Sequence, residues 1–218
     1  MLVEGACQFI MPPADSASSR LAFVADPFMP DYLLLLCAYL MGSIPSAVLI
    51  CRAMGLEDPR QTGSGNPGAT NVMRLGGPQA AGLTLLADLG KGAAAVLLAL
   101  NAGASALLQG WVMLAAVCGH LYPFFSNLRG GKGVATTLGC SLLLSWPLAL
   151  CMLLFWGALF LIGRISSLAS ISTAAATPLF CYLLTPALLL PFTVTSLLLL
   201  LRHSSNIRKL LHGSEHRF

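Results

Sequence analysis

The feature that most constrains this chain is a succession of apolar runs of near-membrane length, interrupted only by Gly, Pro and a few charges. A helix needs about 20 predominantly apolar residues to cross the hydrocarbon core of a bilayer. Runs of that kind fall near 31–52, 80–103, 107–125, 133–146, 148–163, 168–184 and 187–203. The fourth is short and reads as starting in a half-helix. Pro147, Pro178, Pro186 and Pro191 make the last stretches the hardest to divide. Composition agrees, since 56% of the 218 residues are hydrophobic and 9% charged, against about a quarter charged in a soluble domain. Too little polar surface remains to cover a globule in water. The expected fold class is all-α, a polytopic integral membrane protein with about seven transmembrane helices. Residues 30–218 form that one domain. Residues 1–29, with Pro12 and Pro13 and no basic leader, read as an appended, partly disordered tail.

Charge orients the chain. Arg52, Arg60 and Arg74 follow the first run, Arg129 and Lys132 the third, and Arg164 the fifth. Arg202, Arg208, Lys209 and Arg217 follow the last, whereas the turns near 104–106, 146–147 and 185–186 hold no Lys or Arg. Positive residues favour the cytoplasmic side. Seven crossings then put the N-terminus outside and the C-terminus in the cytoplasm. The seven cysteines show neither metal spacing nor a C-x-x-C pair, and those in the apolar runs read as small buried hydrophobes. No metal, cofactor or nucleic acid is expected.

The loop after the first run reads DPRQTGSGNPGATNVMRLGG. Gly63, Gly65 and Gly68 satisfy G-x-G-x-x-G, but a dinucleotide site needs a βαβ unit, and this string contains Pro67 between membrane helices. Gly63 and Gly68 also echo Walker A spacing, with Ala69 where the lysine should stand. The physical content outlasts both rejections. Glycines let backbone N–H groups converge on an anion, and a helix N-terminus adds partial positive charge. Ser64, Asn66, Thr70 and Asn71 offer side-chain donors, and Arg74 a two-pronged phosphate contact. The plain alternative is a polar turn held by its own Asn and Ser bonds.

The segment FFSNLRGGKGVATTLG repeats this chemistry, with Gly130, Gly131 and Gly133 around Lys132 just before a helix. Asp88 and Lys91 lie within the second run, where a charge costs about 3 kcal/mol or more and is a functional candidate by default. At i,i+3 they also neutralise each other. His120 ends the third run and reads either as a base or as an interfacial hydrogen-bonding histidine. Ser166 and Ser167 precede the sixth run, where either suits a helix cap. The basic tail RHSSNIRKLLHGSEHRF has two readings: it lies on anionic lipid, or Asn206 and Arg208 fold back onto the site, with His203 beside them.

Seven segments, taken in order, resemble one family: GSIPSAVL at 42–49, GSGNPGATNVMR at 63–74, LTLLADLGKG at 83–92, GHLYPFF at 119–125, GGKGVAT at 130–136, RISSLAS at 164–170 and the tail at 202–218. The chain resembles the bacterial acyl-phosphate:glycerol-3-phosphate acyltransferases of the PlsY type over residues 32–218. Ser46 after Pro45 departs from the pattern, since the family often has an aromatic there. The resemblance implies seven helices in the bacterial cytoplasmic (inner) membrane and an active site facing the cytoplasm. It implies transfer of a fatty acyl group from acyl phosphate to the sn-1 hydroxyl of glycerol 3-phosphate, giving lysophosphatidic acid for phospholipid synthesis. Ser64, Arg74 and Lys132 would be central, with Asn66, Asn71, Ser167 and Asn206 nearby. Membrane lipid and the enzyme that supplies acyl phosphate are the expected partners.

No histidine here has Asp five positions on, so the His-x-x-x-x-Asp motif of thioester-dependent acyltransferases is missing. Asp88 or His120 is then the base, or the substrate's own phosphate takes the proton. We favour the phosphate. The rivals from other classes are a carrier for a phosphate-bearing solute, which calls for more intramembrane charge than Asp88 and Lys91 supply, and a metal-dependent phosphotransferase, whose paired aspartates are missing.

Overall fold

The computed structural model describes residues 29–218. The reading of 1–29 as a tail falls outside the described residues, apart from Met29, which packs against the core. Among the described residues all regular structure is helical: α1 (Asp31–Gly42), α2 (Ser46–Ala53), α3 (Ala69–Asn101), α4 (Ala106–Leu121), α5 (Val134–Leu144), α6 (Trp146–Gly163), α7 (Ser166–Leu184), α8 (Leu189–Arg202) and α9 (Ser204–Leu211), with short 3-10 turns at Phe124–Ser126 and Pro186–Leu188.

Five stretches are long and apolar enough to cross a membrane: Asp31–Ala53, Ala69–Asn101, Ala106–Ser126, Trp146–Gly163 and Ser166–Leu184. The pair Pro186–Arg202 and Ser204–Leu211, bent by 57°, makes a sixth when its two parts are counted as one span. The expected fourth span is α5, with 11 residues. At the α-helical rise it reaches about 16 Å, roughly half of the hydrocarbon core. Its first turn already touches the middle of α3, because Gly92 faces Thr136 there. The segment leading into α5 is therefore recessed, and the helix covers only the remaining depth.

Two breaks shape the face where the glycine loops lie. Pro45 cannot donate to a helix ladder, so the first span parts at Ser43–Pro45 into α1 and α2. Ser43 rejoins the ladder through its hydroxyl, which donates to the Tyr39 carbonyl at 2.8 Å. The second break is Gly77, at φ 73° and ψ −170°, directly before Pro78. It divides α3 into an initial piece carrying Thr70, Asn71 and Arg74 and the spanning part that follows. The initial piece is anchored on α2 by a small cluster of Ala47, Cys51, Val72 and Ala80, with Leu56 against it.

Helix contacts in lipid rely on close approach of small residues, since lipid tails are as apolar as leucine. Two crossings show this. A Cβ on Gly42 or Gly119 would collide with backbone of α4 or α1, and one on Gly92 or Gly139 with backbone of α5 or α3. Cys140 Sγ adds a 3.2 Å bond to the Gly92 carbonyl. Large apolar side chains face outward instead, as Leu161 at 70% and Ile162 at 84% exposure show on α6.

These contacts generate a paired prediction. Gly92→Val forces backbone apart at the α3–α5 crossing and is expected to cost about 1–3 kcal/mol, read as a lower thermal midpoint in detergent. Gly157→Ala, where nothing lies within 4 Å of the added carbon, leaves the midpoint unchanged or slightly raised. Equal behaviour of the two variants would contradict the close packing.

Candidate active site

The first glycine loop is built around a buried amide. Asn71 is 1% exposed, and its Oδ1 accepts the Ser64 N–H at 2.9 Å. Its Nδ2 donates to the carbonyls of Pro59 at 2.9 Å and Thr62 at 3.1 Å. Every polar atom of this side chain is thus used in shaping the loop, not in offering donors outward. The loop's own hydrogen bonds also take up the Ser64 N–H. Gly63 and Gly65 adopt positive φ, which turns the exposed Ser64 hydroxyl to the surface. Ser64 Oγ accepts only a long 3.4 Å bond from the Asn66 N–H. Gly68 caps the start of α3 in an extended conformation.

Across this face, Thr70 and Ser166 share a 3.1 Å hydrogen bond that joins the starts of α3 and α7. The neighbouring Ser167 is buried, and its hydroxyl has no hydrogen-bond partner among the described residues. Of the two serines, Ser166 therefore connects elements while Ser167 keeps an open hydroxyl.

The second glycine loop is held from both sides. The Gly131 N–H donates to the His120 carbonyl at 3.1 Å. A side chain at Gly131 would run into the His120 imidazole, and one at Gly130 into the His120 carbonyl. Arg202 donates to the carbonyls of Gly130 at 2.9 Å and Gly131 at 3.2 Å. Gly133 turns the chain at φ 82° and opens α5. Lys132 then projects beside the α5 N-terminus, and its ammonium donates to Asn206 Oδ1. The Asn206 amide donates onward to both Glu215 oxygens at 3.1 Å. The tail therefore returns to the site through Asn206. Arg208 is exposed on α9 and makes no hydrogen bond or ion pair with the other candidates among the described residues.

Burial is the main reason that Lys132 falls from the usual lysine value to about 8; the Glu215 carboxylate opposes the shift, and the cations Lys209, Arg202 and Arg74 add to it. His203 is 1% exposed. Its Nδ1 lies 2.7 Å from the Leu199 carbonyl and therefore carries the proton.

Beneath the loops sit Asp88, Lys91 and His120, exposed by only 3%, 9% and 7%. Lys91 Nζ lies 2.9 Å from Asp88 Oδ1 and donates to the Ile44 carbonyl at 3.0 Å. His120 Nδ1 faces the same Asp88 oxygen at 3.4 Å. The cavity beside them, about 20 Å³, has room for roughly one water. One imidazole nitrogen of His120 lies toward Asp88 and the other against Gly131. A separate cleft of about 410 Å³ opens beside Arg60, Gln61 and Arg129. Arg60 is neutralised there by Asp58 at 2.6 Å.

Glu215, Phe218 and Arg202 join this face although the sequence reading did not place them in the site. Arg202 had been legible only as positive charge after the last span. In the tail, the fold-back reading named Asn206 and Arg208 but neither Glu215 nor Phe218.

The buried trio generates a stability prediction. Asp88→Leu leaves the Lys91 ammonium without a counter-charge and is expected to cost about 3–5 kcal/mol, measured by thermal unfolding in detergent. Asp88→Leu with Lys91→Met removes both charges and regains most of that loss. A double variant no more stable than the single one would refute the pairing.

Residues 32–213 match the family Glycerol-3-phosphate acyltransferase. A glycerol-3-phosphate acyltransferase of Shewanella baltica is 47% identical over 189 residues, covering 87% of this chain and 93% of that protein. One from Shewanella oneidensis is 46% identical over 183 residues, covering 84% and 90%. Among solved structures, PlsY (YgiH), an integral membrane glycerol 3-phosphate acyltransferase in its glycerol 3-phosphate form, superposes with a TM-score of 0.81 at 39% identity, over 86% of this chain and 95% of that one. Its lysophosphatidic acid form gives a TM-score of 0.80 at 38% identity. The chain belongs to the glycerol-3-phosphate acyltransferase family of integral membrane enzymes.

Proposed function

We propose that this enzyme takes a fatty acyl group from acyl phosphate and places it on the sn-1 hydroxyl of glycerol 3-phosphate, releasing lysophosphatidic acid and inorganic phosphate. The observation that carries the reading is the meeting of Lys132, Arg74 and the α5 N-terminus on one face. The tail links the two cations, with Asn206 joining Lys132 to Glu215 and Phe218 lying against Arg74, and neither cation forms an ion pair with a carboxylate among the described residues. Two phosphate-bearing substrates fit such a surface. The solved relative's glycerol 3-phosphate and lysophosphatidic acid forms support the acceptor and the product.

In the reaction, the sn-1 oxygen forms a bond to the acyl carbon, and the bond from that carbon to the phosphate oxygen breaks. Lys132 and the N–H groups at the start of α5 stabilise negative charge on the carbonyl oxygen and the departing phosphate. The Ser64 and Ser167 hydroxyls and the Arg74 fork hold phosphate oxygens, and Asn206 fixes the Lys132 ammonium. Asn66, Thr70, Asn71 and the glycines give the loops their shape. The acyl donor is already activated, so alignment of hydroxyl and carbonyl is the main requirement. The hydroxyl proton passes to the phosphate of glycerol 3-phosphate. The burial of His120 beneath the loops, against Asp88, supports this choice over a protein base. The active site faces the cytoplasm of a bacterial inner membrane, in line with the basic residues gathered in the loops around it.

Purified protein given glycerol 3-phosphate without added metal is expected to form lysophosphatidic acid from acyl phosphate, and not from acyl-CoA or acyl carrier protein. Product only from the thioesters would overturn the donor assignment. Product from none of them would point to transport.

The pH profile is a second test. Lys132 is needed as a cation and is cationic below about 8, so kcat/KM falls as pH rises through that value. Substrate phosphate must be dianionic to accept a proton, which sets an acid limb near about 6. Lys132→Arg is expected to move the basic limb upward, since guanidinium stays charged. Folded His120→Ala loses the ring under Gly131 and is expected to lower turnover while retaining the acid limb; loss of that limb would restore a protein base.

A further inference from the structure

Three arginines on the site face are held in three ways. Arg60 is closed by Asp58, with its Nη2 2.6 Å from the carboxylate. Arg202 has its Cζ 5.2 Å from the centre of the Tyr122 ring and donates to two glycine carbonyls. Arg74 has its Cζ 5.2 Å from the centre of the Phe218 ring. It makes no ion pair among the described residues, and its side chain is otherwise exposed.

Phe218 is itself anchored. Its N–H donates to the Arg164 carbonyl at 2.9 Å, which ties the tail to the turn between α6 and α7. Its ring meets Phe160 at 5.9 Å and His216 at 5.5 Å, edge to face. Three residues earlier Glu215 accepts both Asn206 bonds, so the segment crosses the face from the Lys132 side to the Arg74 side.

We propose that Phe218 is a positioning residue for phosphate recognition, acting through Arg74; the inference rests on the reading of Arg74 as a phosphate ligand. An aromatic ring attracts a guanidinium over its face. The N–H donors of that guanidinium lie in its own plane and point outward from its edge. A ring on the face orients the fork and leaves the edge open for two phosphate oxygens. A carboxylate in the same place would also orient the fork, as Asp58 does for Arg60, but it would occupy the donors and cancel the charge. The tail thus preorganises Arg74 while keeping it cationic and available. Phe218 touches no reacting atom in this scheme, so its contribution appears in binding of the phosphate-bearing acceptor.

The test uses the full chain in detergent, with glycerol 3-phosphate as probe, in calorimetric titration and steady-state kinetics. Phe218→Leu keeps an apolar side chain but loses the ring, and it is expected to weaken acceptor binding roughly two- to fivefold, with KM raised and kcat little changed. Phe218→Tyr retains the ring and is expected to bind as the unmodified chain does. In an Arg74→Lys background, Phe218→Leu is expected to add no further loss, because contacting residues couple in a double-mutant cycle. Unchanged affinity in Phe218→Leu would overturn the inference, as would the same loss in both backgrounds or a fall confined to kcat. Failure of the unmodified chain to bind glycerol 3-phosphate would overturn the functional reading together with this inference, whereas normal binding that ignores Phe218 would overturn the inference alone.

Discussion

Backbone that leaves a helix inside a bilayer must find its hydrogen-bond partners within the protein. This fold meets that requirement twice with a cation. At the Ser43–Pro45 break, the Ile44 carbonyl is answered by the Lys91 ammonium. At the recessed second loop, the Gly130 and Gly131 carbonyls are answered by the Arg202 guanidinium. Both breaks border the site, and its geometry depends on these two bonds. Lys91 reaches Ile44 only because Asp88 balances its charge. His120 contributes a carbonyl and a flat ring on which the loop rests. The buried trio is a support for irregular backbone, and the site stands on it.

Charge on the substrate-facing side obeys a different rule. Asp88 with Lys91 and Asp58 with Arg60 are closed pairs, the first under the loops and the second beside them. Lys132 and Arg74 are instead held by an amide oxygen and an aromatic face. Closed pairs shape the structure and have little left for a ligand. Cations held by neutral groups are fixed in place and still attract an anion. A surface that binds a phosphate-bearing molecule needs the second arrangement.

The apolar runs were legible because period and length are local properties of a sequence. The shortness of α5 was visible as well, since little apolar chain separates Lys132 from Pro147. Its cause was not: it begins partway along α3, a relation set by Gly92 and Thr136 across space. The glycine loops were legible as sites of close approach. Gly131 makes its approach to His120, with its N–H bound to that residue's carbonyl, a partner at the end of α4. Asn71 was expected to offer donors and is buried at the centre of its loop instead. Such roles depend on what lies across a contact, and a linear pattern carries no record of that. The tail had two readings; Asn206 meets Lys132 of the second loop, while Arg208 is exposed on α9.

The long reach of the contacts at this face bears on how the protein is made. Lys132 meets Asn206 across 74 positions of chain, and Thr70 meets Ser166 across 96. Helices enter a membrane in the order of their synthesis, while partners this distant pair only after both have emerged. The bundle is therefore largely in place before its chemistry exists. A partly made chain carries Lys132 and Arg74 as unarranged positive charge until the segments around Ser166 and Asn206 have emerged beside them.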